Sequence, residues 1–86
     1  MNKSMDVTTI EKNIKQFLSE EMGVDLAEVG SDGTLFTSGL LDSMDVIRLI
    51  EFLETQIKNR ISPLDVSLEQ FDSLSRIIAF VQHRLR

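Results

Sequence analysis

The sequence predicts an all-α domain: a small antiparallel bundle of three main helices plus one short helix, with a long loop between helices 1 and 2. Three observations carry this. Apolar residues recur at helical spacing in three separate stretches, no stretch alternates with period two for long, and 86 residues leave room for one small core.

Residues 1–7 are polar and read as a flexible N-terminus, with the domain itself at 8–86. Thr8 and Glu11 have the spacing of a capping box and open a first helix whose apolar face is Ile10, Ile14, Phe17 and Leu18. Met22 followed by Gly23 stops that helix. Residues 23–41 hold every glycine of the chain (Gly23, Gly30, Gly33 and Gly39) and apolar residues without a sustained period. They read as an ordered loop with a helical turn near Leu26–Val29, and long loops in small domains are usually functional.

Ser43 opens the second helix, which runs to Ile57 or Lys58. At about 100° per residue, Val46, Ile47, Leu49, Ile50, Leu53 and Ile57 form one broad stripe for burial. Met44 lies almost opposite, on the side of Arg48, Glu51 and Thr55. Ile61-Ser62-Pro63 breaks the chain. Ser67 and Gln70 repeat the capping-box spacing and place a short helix over Leu68–Phe71. Asp72 or Ser73 then caps the last helix, with Leu74, Ile77, Ile78, Val81 and Leu85 as its face.

Composition excludes several functions. A net charge of −5 argues against nucleic acid and anionic membranes, both of which need a basic footprint. No stretch approaches the roughly 18 apolar residues of a membrane span, and the N-terminus lacks an apolar signal core, so a cytoplasmic monomer is expected. There is no cysteine. The one histidine, His83, lies beside Arg84 in the C-terminal turn, where a cation suits the helix dipole. That leaves a zinc site without ligands and a hydrolase triad without a placed base. Setting Gly33 at position six of a calcium loop puts Gly39 where the bidentate glutamate belongs, and no phosphate-binding Gly-x-x-x-x-Gly-Lys motif occurs. No metal site is expected.

The run Gly39-Leu40-Leu41-Asp42-Ser43-Met44-Asp45 remains. A serine at a helix start is ordinarily a cap, and Asp72-Ser73-Leu74 supplies a second serine of that kind. Ser43 differs because Asp42 can accept from the N–H of Met44 or Asp45, which frees the serine hydroxyl. Its loop is long, and its helix is the most apolar in the chain. A phosphodiester there would meet the positive end of the helix dipole and unpaired N–H groups, while Asp42 and Asp45 would repel it.

From about Ile10 to Leu85 the order of parts resembles the acyl carrier protein family, with the related peptidyl and D-alanyl carriers. The matching features are Asp32-Gly33-Thr34-Leu35-Phe36, Gly39, Asp42-Ser43-Met44, Ile61-Ser62-Pro63 and Phe71-Asp72-Ser73-Leu74. The resemblance implies a carrier rather than an enzyme, with 4′-phosphopantetheine esterified to Ser43 and acyl or aminoacyl groups held on it as thioesters. It implies that Met44 contributes to partner docking. A carrier must also dissociate readily, so its docking surface should be acidic and salt-sensitive: Asp42, Asp45, Glu51 and Glu54, with Arg48 among them. The implied partners are a phosphopantetheinyl transferase, an adenylating acyl or aminoacyl ligase, and downstream acyl-transferring or condensing enzymes. Fatty-acid carriers typically place one residue between Gly and Asp, whereas Leu40 and Leu41 intervene here, which looks more like D-alanyl carriers. Asp45 and the acidic helix are similar to fatty-acid and polyketide types, so the cargo stays open. A helical adaptor, with Ser43 as a plain cap, is the alternative from another class.

Overall fold

The computed structural model describes residues 7–62 and 66–85. Helix α1 covers Val7–Gln16 and continues as a π-wound turn over Phe17–Glu21. Val7 is already helical, so Thr8 lies inside the first turn rather than at the cap, and the capping position falls outside the described residues. Gly23, at φ +72°, turns the chain as the Met22–Gly23 pair predicts. The Val24 N–H reaches back to the Leu18 carbonyl at 2.9 Å.

The loop that follows is ordered and includes the short helix α2, Leu26–Val29, capped by Asp25 through the N–H groups of Ala27 and Glu28. Helix α3 spans Ser43–Ile57 and ends on Lys58 in the left-handed conformation. A 3-10 turn covers Leu68–Phe71, where the Gln70 side chain accepts from the Ser67 N–H at 2.9 Å. Pro63, expected to break the chain, lies outside the described residues. Helix α4 spans Leu74–Arg84, and Ser73 rather than Asp72 caps it, accepting from the Arg76 N–H at 3.2 Å. There is no strand among the described residues.

Pairings fix the direction of packing. Asn13 bonds Gln56 at 2.8 Å, Phe17 stacks on Phe52 with centroids 4.2 Å apart, and Arg48 donates to the Glu21 carbonyl. As α1 advances, its partners on α3 recede, so the two helices are antiparallel. Ile10 and Ile14 of α1, Leu18 of the π-wound turn, Leu49 and Leu53 of α3, and Ile77 and Val81 of α4 close the core with Leu35 and Phe71. The α3 stripe is narrower than predicted: Leu49, Ile50, Leu53 and Ile57 are buried, Val46 is half-buried, and Ile47 is 52% exposed. Ile47 sits at the edge of the stripe, beside Ile61 and Ser62, and the described residues leave about half of it uncovered. On α4, Phe80 joins the core by packing edge-on against Phe71, while Ile78 and Leu85 are only partly covered.

Candidate functional site

Asp42 is extended, and its Oδ1 accepts from the N–H groups of Met44 and Asp45, both at 3.1 Å. Asp45 returns the bond through Oδ2 to the Asp42 N–H at 3.0 Å, completing a capping box. Two carboxylates therefore do the capping, and Ser43 does none of it. Its side chain is exposed, and its hydroxyl has no hydrogen-bond partner among the described residues. The N–H groups expected to be unpaired here are largely taken, since Met44 and Asp45 give theirs to Asp42.

The approach to this helix start is anchored by the segment just before α4 and by the first turn of α4. Asp72, buried, accepts at Oδ1 from the N–H groups of Leu35, Phe36 and Thr37 at 3.2, 2.8 and 3.1 Å. Its Oδ2 accepts from the Thr37 hydroxyl at 2.8 Å. Burial pushes the Asp72 carboxyl up, but the bonds from Phe36, Thr37 and Leu35 outweigh it and hold the group below the ordinary carboxylate range. Ser75 adds two ties, from its N–H to the Ser31 carbonyl at 2.9 Å and from its hydroxyl to Asp32 at 2.8 Å. Sequence reasoning missed the Asp72 clamp, because its partners lie more than thirty residues away along the chain.

Around Ser43 the surface is apolar and acidic together. Met44 is 65% exposed and, as its helical phase predicts, stands clear of the core, and Leu40 is 52% exposed. Ile47 joins them as a surface residue instead of a core one. Asp42 and Glu51 are exposed, and Asp45, half-buried, pairs with Arg48 at 3.5 Å. Arg48 also reaches the Glu21 carbonyl, so it ties α3 to the end of α1. Glu54 is partly withdrawn from the surface, because its carboxylate accepts from the Ile61 N–H at 2.7 Å. The second candidate serine is different in kind: Ser73 is buried and committed to its cap. His83 is exposed in the last turn of α4 beside Arg84, whose guanidinium lies over the Phe80 ring.

Ser43 thus presents an exposed hydroxyl at a helix start, bonded to no side chain among the described residues. The family described as the phosphopantetheine attachment site matches residues 12–81. The acyl carrier protein of Chlamydia caviae is 29% identical over 76 residues, covering 88% of this chain and 96% of the relative. That of Thermotoga maritima is 25% identical over 72 residues, covering 84% and 86%. The chain belongs to the acyl carrier protein family, whose prosthetic group is 4′-phosphopantetheine; it is a carrier and not an enzyme. Among the described residues no helix is long and apolar enough to cross a membrane.

Proposed function

We propose that Ser43 bears the 4′-phosphopantetheine arm and that the chain delivers acyl or aminoacyl groups, held on it as thioesters, between partner enzymes of the cytoplasm. The observation that carries this is the division of labour at α3: Asp42 and Asp45 cap the helix, and Ser43 is left exposed with a free hydroxyl. When bound, the arm supplies a thiol whose thioester keeps its carbonyl electrophilic. The protein's own residues hold the attachment point rigid and offer a surface for brief docking. Tethering raises the effective concentration of cargo at each partner without any new contact. Asp42 and Asp45 set negative charge beside the hydroxyl, which favours a transferase with a basic docking face.

Incubation with a phosphopantetheinyl transferase and coenzyme A, followed by intact-mass measurement, tests the site. Wild type should gain one prosthetic group, and Ser43→Ala should gain none while keeping its stability, because its caps remain. Ser73→Ala should be fully modified yet lose about 0.5–2 kcal/mol with its cap. Labelling retained in Ser43→Ala, or an unmodified wild type as the adaptor reading requires, would end the assignment.

For loading, we infer a separate adenylating ligase acting on a carboxylic or amino acid, as for D-alanyl or peptidyl-type carriers. What supports it is the resemblance of Leu40-Leu41-Asp42-Ser43-Met44 to D-alanyl carriers and to stand-alone carriers fed by adenylating ligases. The holo form should be charged by an ATP-dependent ligase. Charging only by transfer from malonyl-coenzyme A would favour a polyketide-type carrier instead.

A further inference from the structure

Asp72 is a buried carboxylate that the carrier function has not used. It belongs to the segment before α4, yet nearly all its bonding capacity goes to the loop that leads to α3. Three successive backbone N–H groups and one hydroxyl converge on it. The same loop residues then hold the chain just ahead of Ser43. The Leu35 carbonyl accepts from the Leu41 N–H at 2.8 Å, and the Phe36 carbonyl accepts from the Gly39 N–H at 3.0 Å. Leu41 is buried and adjoins Asp42, the cap that leaves Ser43 free.

We propose that Asp72 is a positioning residue for Ser43: its carboxylate fixes residues 35–37, these fix Leu41, and Leu41 fixes where α3 begins. The inference rests on Ser43 as the attachment site, and it deepens that reading by naming what holds the serine in place. The physical reason for such a device is preorganisation. If the start of α3 is in its binding-competent arrangement for only part of the time, the apparent affinity of the transferase falls by that fraction, while turnover of the bound complex is preserved. Loss of the clamp should therefore appear in KM and not in kcat.

The fold has other ties that allow the test. In Asp72→Ala the Leu35 N–H keeps the residue-72 backbone carbonyl at 2.8 Å, and Ser75 keeps Ser31 and Asp32. Asp72→Ala should retain its helical circular dichroism. Its amides at Phe36, Thr37, Leu41, Met44 and Asp45 should exchange with deuterium about tenfold faster, and the transferase KM should rise by about the same factor with kcat within about twofold. Asp72→Asn keeps a carbonyl oxygen to accept the N–H bonds and an amide to meet the Thr37 hydroxyl, so it should restore KM nearly to wild type. If Asp72→Ala does not fold, Thr37→Val removes the hydroxyl bond alone and should move the same amides and KM the same way by a smaller factor. Faster exchange at residues 36–37 with unchanged Leu41, Met44, Asp45 and KM would overturn the proposal, as would failure of Asn to rescue. An unmodified wild type would instead defeat the Ser43 reading, and exchange at Met44 and Asp45 would still decide whether Asp72 holds the start of α3.

Discussion

Two aspartates organise the approach to Ser43, and they act at different ranges. Asp42 caps its own helix, with partners two and three residues away. That role is legible in the sequence because caps are local. Asp72 has the same local signature, yet Ser73 takes the cap and Asp72 closes a loop instead. No local rule announces that choice, since it is made by the packing of α4 against the loop. The depressed Asp72 carboxyl has a consequence for acid stability. A group whose folded pKa lies below its unfolded value of 3.8 stabilises the fold fully above that value, and the contribution fades as pH falls through the folded pKa. Melting temperatures of wild type and Asp72→Asn should therefore differ at neutral pH and converge as the solution is acidified below the ordinary carboxylate range. A gap that stays constant down the titration would show that the Asp72 charge contributes nothing to stability.

Helix α3 shows what periodicity conveys and what it omits. Its limits, its caps and the outward direction of Met44 follow from residues within a turn or two of each other. The width of its buried stripe does not. Ile47 is at helical spacing from Ile50, yet it is 52% exposed among the described residues, because burial depends on what packs against the helix and not on spacing alone. Phe80 is the converse on α4: Phe71, from the preceding turn, covers a position that the face Leu74, Ile77 and Val81 does not single out. The π-wound turn at Phe17–Glu21 is equally silent in the sequence, and it coincides with Phe17 stacking on Phe52 of another helix. Isolated exposed apolar residues are ordinary, but Leu40, Met44 and Ile47 are all exposed and all lie within about a helical turn of Ser43 along the chain. Met44→Ala should change thermal stability little and slow transferase or ligase turnover mainly by weakening docking. Leu49→Ala, on the buried face, should cost about 2–5 kcal/mol. A loss of that size in Met44→Ala with normal partner kinetics would place Met44 in the core and refute the register.

At the scale of the whole molecule, the antiparallel bundle is a base that keeps one serine and its surroundings in fixed relation, and the chain carries a net charge of −5 that the proposed docking would use. A carrier visits several enzymes in turn, so its complexes must form quickly and release quickly. On the proposed docking, long-range attraction between an acidic carrier and basic partners would serve the first need, and keeping the apolar contact small, at Met44, would serve the second. These two contributions separate by salt. Screening lengths shrink from about 10 Å at 0.1 M ionic strength to about 3 Å at 1 M, which weakens attraction between exposed charges and leaves apolar contact intact. Raising ionic strength should therefore increase the transferase KM for this chain severalfold with little change in kcat. Met44→Ala should start from a higher KM and climb with the same slope. Asp42 and Asp45 are unsuitable for the converse test because they cap α3, but Glu51 is exposed and makes no ion pair among the described residues. Glu51→Gln should flatten the salt dependence without changing stability. A transferase KM indifferent to salt, or a Glu51→Gln slope equal to wild type, would remove the acidic surface of α3 from the docking account and leave the apolar residues around Ser43 to carry it alone.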